Sequence, residues 1–154
     1  MIVVDANILA YFFIAGEKTR VARQLREVDA RWVAPEIWRH EFANILVSAC
    51  LFSKLPLPEA QRIWKEAQDL MRGNEYATDL SGVLPLAIEG SATAYDAEYI
   101  LLARSLGATC VTEDGPLRKA FPADTISMAG FLGSRGGAEV VRETRPAYQV
   151  RRRR

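Results

Sequence analysis

The chain has 154 residues, 49% of them apolar and 25% charged, with a formal net charge of +1. Such a chain fits one globular domain with a full core, and its composition excludes disordered, collagen-like and disulfide-stapled classes. Cys50 and Cys110 have no Cys or His partner at zinc-ligand spacing, no apolar run approaches the roughly 18 residues of a membrane span, and no leader pattern is present, so a cytoplasmic protein is expected.

Residues 1–4 form an apolar, β-branched run, the pattern of a strand buried on both faces. The spacing then predicts one or two helical turns over 8–14. An amphipathic helix follows over 17–28, with Val21, Leu25 and Val28 on one face. A second short strand is predicted at 31–34. Pro35 fits the first turn of a long helix over 36–53, whose apolar stripe is Trp38, Phe42, Ile45, Leu46, Ala49 and Phe52. Pro56 and Pro58 punctuate the next turn. Another helix is predicted over 59–71, with Ile63, Ala67 and Leu70 inward, ending near Gly73. A third strand is predicted at 76–78 and a short helix at 80–88. A further helix over 93–106 is stopped by Gly107. Strands at 109–112 and 125–128 flank a helical turn or two at 116–121.

This alternation predicts an α/β fold of three layers, α/β/α, around a central parallel sheet of about four or five short strands with right-handed crossovers. The domain is expected to span 1–132. Gly133, Gly136 and Gly137 then break the pattern, and 133–154 reads as a basic Gly/Arg-rich tail. From 135 to 154 there are seven Arg against two Glu, so the rest of the chain is mildly acidic. An acidic body with a basic tail suits a cation site beside a nucleic-acid contact.

Four acids stand out. Asp5 closes the first strand, Asp114 follows the strand at 109–112, and Glu41 and Asp96 border the apolar faces of two helices. Ligands of open parallel sheets bind beyond the C-terminal strand ends, where each of these acids is expected. Each also has a plainer role. Asp5 can cap the helix after it, and Asp114-Gly115-Pro116 is a natural cap with Pro in the first turn. Thr93 to Asp96 fits a capping box, and Glu41 can pair with His40 or an Arg. One acidic pocket accounts for all four together. Gathering four carboxylates is costly unless a cation neutralises them, so the pattern predicts an oxygen-ligand metal site and metal-dependent phosphodiester hydrolysis.

Asp5, Asp96 and Asp114 are the expected metal ligands. Glu41, the fourth catalytic acid, binds directly, binds through water, or orients the nucleophile. Asn7 is placed to hydrogen-bond Asp5 or a phosphate oxygen, and Thr112 to orient a ligand carboxylate. Glu98 lies about 200° around the helix from Asp96 and would reach a shared metal only through water. Arg20, Arg39, Lys54 and Arg118 are candidate phosphate contacts. His40, the only histidine, reads as a surface or core-edge residue.

Val3-Val4-Asp5-Ala6-Asn7 resembles the opening of PIN-domain nucleases. Glu36 to Asn44 resembles the helix that carries their second acid, and Tyr95-Asp96-Ala97 and Val111-Thr112-Glu113-Asp114 resemble their third and fourth acidic motifs. The match covers about residues 1–130 and is most similar to the VapC-like toxins of toxin–antitoxin pairs. The resemblance implies a Mg²⁺- or Mn²⁺-dependent endoribonuclease that acts on RNA, is usually a homodimer, and is inhibited by a small antitoxin. Trp38, Phe52, Trp64 and Phe131 exceed the obvious needs of a small core, so some are expected on a partner-binding patch. The basic tail lies outside the shared pattern.

Other chemistries fit less well. A haloacid-dehalogenase-like phosphatase needs a second Asp where Asn7 stands, and a dinucleotide-binding fold needs a Gly-rich turn that Ala6-Asn7-Ile8 does not supply. A receiver domain needs paired acids at the first strand end. The alternative from another class is a non-catalytic PIN-like module that binds RNA or protein.

Overall fold

β1 (Ile2–Val4) forms where the apolar run places it, and all three residues are buried. It is the middle strand of a five-stranded, all-parallel sheet of order β3-β2-β1-β4-β5. The structure is a computed structural model that describes residues 1–143, with side chains to 135. From β1 the chain runs through α1 (Ala6–Phe13) and α2 (Thr19–Val28) to β2 (Trp32–Pro35). α3 (Trp38–Phe52) and α4 (Leu57–Met71) lead to the edge strand β3 (Glu75–Tyr76). α5 (Leu80–Gly90) and α6 (Ala94–Leu106) carry the chain back across the sheet to β4 (Cys110–Val111), on the other side of β1. α7 (Gly115–Ala120), β5 (Thr125–Ile126) and α8 (Met128–Glu143) complete the described chain. Val3 sits opposite Val33 on one side and Cys110 on the other. The strand order therefore reverses beside β1, which opens a crevice at the C-terminal ends of β1 and β4.

The main core gathers Trp32, Trp38, Phe42, Leu25, Tyr99 and Met128 around the sheet. A smaller cluster of Val83, Leu86, Ala97, Ile100, Leu117 and Phe121 ties α5, α6 and α7 together. Among the described residues no helix is long and apolar enough to cross a membrane.

Pro35 differs from expectation, because it ends β2 instead of opening the next helix. The ladder explains why this is tolerated. Ala34 and Glu36 donate their amides toward β3, to Asn74 and Tyr76. By strand alternation the nitrogen of Pro35 faces β1, which has already ended, so no ladder bond is lost. Phe52 lies on the predicted stripe of α3 but is 82% exposed, since the last turn of that helix has no cover among the described residues. α8 begins at Met128, two residues after β5, and continues past Gly133 to Glu143. Met128 and Phe131 dock its start in the core and offset the roughly 1 kcal/mol that each helical Gly costs. Residues 144–154, the rest of the predicted tail, lie outside the described residues.

Candidate active site

Each of the four acids sits at the N-terminal end of a different helix. Asp5 caps α1, accepting from the Asn7 amide, and Asp114 caps α7, accepting from the Leu117 amide. Glu41 lies in the first turn of α3 and Asp96 in the first turn of α6. Helices that alternate with parallel strands begin at the C-terminal edge of the sheet. Four helix starts therefore meet there, and their partial positive charges favour anions. The acids line one pocket of about 230 Å³, together with Asn7, Asn44 and Tyr99.

Asp5 is buried and held from two sides. The Asn7 backbone N–H donates to Oδ1 at 2.7 Å, and the Thr112 hydroxyl donates to Oδ2 at 2.5 Å. Thr112 Oγ1 in turn accepts from the Asp114 amide at 3.0 Å, so one hydroxyl links two strand ends. Burial pushes the Asp5 carboxyl above its usual range against these hydrogen bonds, and the charges of Asp96 and Asp114 push it further. Glu41 is raised to about 7, mainly by burial and then by Asp5, Asp96 and Glu98, although the Tyr99 hydroxyl donates to Oε2 and opposes the shift. The same burial and negative field lift the Tyr99 phenol well above its ordinary value.

Asp96 and Asp114 are partly engaged. Asp96 Oδ2 accepts from the Thr93 hydroxyl at 2.7 Å, and Asp114 Oδ1 accepts from the Leu117 amide at 2.6 Å. The plainer capping roles and the shared pocket are thus both present. Among the described residues no three His, Cys, Asp or Glu side chains are drawn together as a ready-made metal cage. The expectation of a hydrated cation held by Asp5, Asp96 and Asp114 rests on the pocket that these acids share. Among the described residues no ion pair reaches any of the four acids, and neither His40 nor an Arg pairs with Glu41. An all-oxygen donor set, partly buried and uncompensated, fits a hard divalent ion that keeps several waters between itself and the protein.

The remaining candidates separate. Asn7 lines the pocket with its side chain exposed, and its contact with Asp5 comes from the backbone. Glu98 is buried outside the pocket lining, where its Oε2 accepts from the Thr78 hydroxyl at 2.5 Å. Arg39 is committed to Glu75, with Nε at 2.6 Å and Nη2 at 2.5 Å, and is not free for a phosphate. Two polar residues of the pocket lining were not predicted. Asn44 lies three residues beyond Glu41, a helical spacing that could have revealed it. Tyr99 meets Glu41 across 58 positions, a tertiary contact with no local signal.

The family model of the PIN domain matches residues 2–120. The chain belongs to the PIN domain family. Ribonuclease VapC3 of Pyrobaculum aerophilum is 28% identical over 131 residues, spanning 79% of this PIN protein and 95% of the relative. Among solved structures, PAE2754 from Pyrobaculum aerophilum superposes with a TM-score of 0.69 at 22% identity, covering 88% of this chain and 96% of that one. A toxin–antitoxin complex from Klebsiella pneumoniae gives a TM-score of 0.61 at 19% identity, with 83% and 98% covered. FitAcB from Neisseria gonorrhoeae gives 0.63 at 12% identity, with 84% and 99% covered. At these identities the structures establish the shared PIN fold.

Proposed function

We propose that this PIN domain is a metal-dependent endoribonuclease that hydrolyses RNA phosphodiester bonds, and that it is the toxin of a toxin–antitoxin pair. One observation carries the reading. Four acids, each from its own helix N-terminus, line a single pocket with no compensating cation among the described residues. The relative named a ribonuclease and the neighbour solved as a toxin–antitoxin complex support it.

Asp5, Asp96 and Asp114 would hold Mg²⁺ or Mn²⁺, in part through water, and Glu41 completes the acidic set. When bound, the ion neutralises charge building on the phosphate and makes the attacking water more acidic. The protein's own groups supply position. Thr112 and the Asn7 amide fix both oxygens of Asp5, and the Tyr99 hydroxyl fixes Glu41. Glu41, whose carboxyl burial lifts to about 7 before any ion binds, is the carboxylate we assign to accept the proton of the attacking water. Asn44 and Asn7 supply neutral polar groups at the pocket wall, where a phosphate oxygen meets no added negative charge.

The partners under this reading are RNA, a small antitoxin and a second copy of the chain, and the RNA places the work in the cytoplasm. Exposed apolar side chains support the protein partners. Leu51 and Leu57 border a groove of about 490 Å³ between α3 and α4, beside exposed Phe52, and α5 presents Leu80, Leu84 and Ile88. Of the four aromatics expected to be in surplus, Trp38 and Phe131 are core residues and Trp64 lines the groove.

The test is cleavage of single-stranded RNA by the full-length protein. Wild type should cut with Mg²⁺ or Mn²⁺ and stop with EDTA, and Asp5→Asn should cut orders of magnitude more slowly. RNA that is bound but left intact with every divalent ion would favour the non-catalytic module.

A further inference from the structure

A second cavity, of about 470 Å³, adjoins the acidic pocket. Glu41 and Asn44 line both, so the two lie side by side along α3. The rest of its lining is Ile37, His40 and Tyr95. Ile37, His40 and Asn44 follow one another at a turn each along α3. Tyr95 stands next to Asp96 at the start of α6 and is 58% exposed. Its packing contribution is slight, because α6 buries Ala97, Tyr99, Ile100, Leu102 and Ala103 instead. Among the described residues the side chains of Tyr95, His40 and Asn44 make no hydrogen bond or ion pair. Folding therefore does not explain an exposed aromatic ring, an imidazole and an amide gathered within one to three residues of Glu41 and Asp96.

We propose that this cavity is a nucleobase subsite, which receives the base next to the scissile phosphate of single-stranded RNA, with Tyr95 as its stacking face and His40 and Asn44 as its edge readers. The proposal rests on the ribonuclease reading and adds the recognition element that an acidic pocket lacks. Carboxylates around a cation hold any phosphate and distinguish no sequence. Bases of unpaired RNA can be splayed out, stacked on an aromatic ring and hydrogen-bonded along their edges. A phenol ring, an imidazole and a carboxamide supply those contacts without repelling the backbone. Ile37 closes the cavity with apolar surface. The volume lies within the range of small-molecule pockets and accommodates one base.

The experiment uses full-length protein carrying Asp5→Asn, so that RNA is bound without being cut. The probe is a set of short single-stranded RNAs with 2-aminopurine at successive positions, and matched RNAs with one abasic position. Stacking on Tyr95 should quench 2-aminopurine at one position. Adding Tyr95→Ala should abolish that quench and weaken binding by about 10- to 100-fold, whereas Tyr95→Phe should retain both. The abasic RNA should bind both proteins alike. In the cleaving protein, His40→Ala should change which bases flank the cut sites. Unchanged affinity and quenching in Tyr95→Ala would overturn the subsite. So would an equal loss on abasic RNA, since the lost contact would then not be to a base, and so would a failure to bind RNA. Binding with the predicted quench but no cleavage by wild type would uphold the subsite and sink the nuclease reading on its own.

Discussion

Asp5 shows how one side chain serves both fold and chemistry. It caps α1 and accepts from Thr112, yet its charge is buried among other acids. Asp5→Asn keeps the shape and removes that charge, so the metal-free protein should melt at the same temperature or higher. Wild type should gain melting temperature with Mn²⁺ or Mg²⁺, because an ion bound only to the folded state stabilises it by about 2.7 kcal/mol at a hundredfold excess over its dissociation constant. The variant should gain much less in the same thermal melts. Glu41 adds a pH dependence of defined sign. Its folded value of about 7 lies above the ordinary 4.5, so the unfolded chain releases this proton first. Metal-free stability should fall as pH rises from about 4.5 to about 7 and level off above, and Glu41→Gln should flatten that fall. The metal-induced gain should grow over the same window, because ligation competes with the proton. Melts in EDTA and in Mn²⁺ at pH 5 and pH 8 check both statements. Asp5 and Asp114 were legible in the sequence because each follows a predicted strand, Asp5 directly and Asp114 after one intervening residue. The hydrogen bond that positions Glu41 was not, since Tyr99 approaches only once α3 and α6 have packed.

Elements were legible to the extent that hydrophobic period decided them. The helices around Leu25, Phe42, Ile63 and Ile100 appear as predicted, with ends shifted by one or two residues. β3 moves to Glu75–Tyr76 because its register is set by Ala34 and Pro35 of β2, which local sequence does not report. Helix starts were the more informative ends, and α7 offers a test that separates structure from chemistry. Asp114→Ala should cost about 1 kcal/mol through the lost cap, whereas Asp114→Asn should keep the cap. Both should lose metal-dependent cleavage alike. Denaturant melts beside the RNA assay would show it, and an active, stable Asp114→Asn protein would reduce this residue to a cap. The end of α5 packs tightly against the residue that closes α7. A Cβ on Gly90 would lie 2.3 Å from the ring of Phe121, which belongs to the smaller core cluster. Gly90→Ala should therefore destabilise the protein by about 1–3 kcal/mol through overpacking, read as a lower denaturant midpoint.

At the scale of the whole molecule, the parallel sheet makes the site. Once β1 is central and the strand order reverses beside it, the first turns of α1, α3, α6 and α7 come together at one place. The alternation of strands and helices made this architecture legible, and four acids at predicted strand ends and helix starts made the pocket legible. The neighbouring cavity was not, because it needs the first turns of α3 and α6 side by side. Charge is divided along the chain as well. Residues 144–154, outside the described residues, contain five Arg and no acid, so removing them would turn a net charge of +1 into −4. We propose that these arginines draw RNA to an acidic body by contact with phosphates, which carries no sequence information. Each Arg that meets a phosphate of single-stranded RNA adds about 0.7 to the slope of log affinity against log salt. Truncation after Glu143 should lower that slope by as much as about 3.5, with a large loss of affinity near 50 mM salt that closes as salt rises. The cut sites should stay the same, because the bases are read at the pocket. Fluorescence anisotropy of full-length and truncated Asp5→Asn protein across a salt series measures the slopes, and sequencing the products of the cleaving proteins compares the cut sites. Equal slopes would leave the tail no part in binding RNA, and altered cut sites would give it a part in reading sequence.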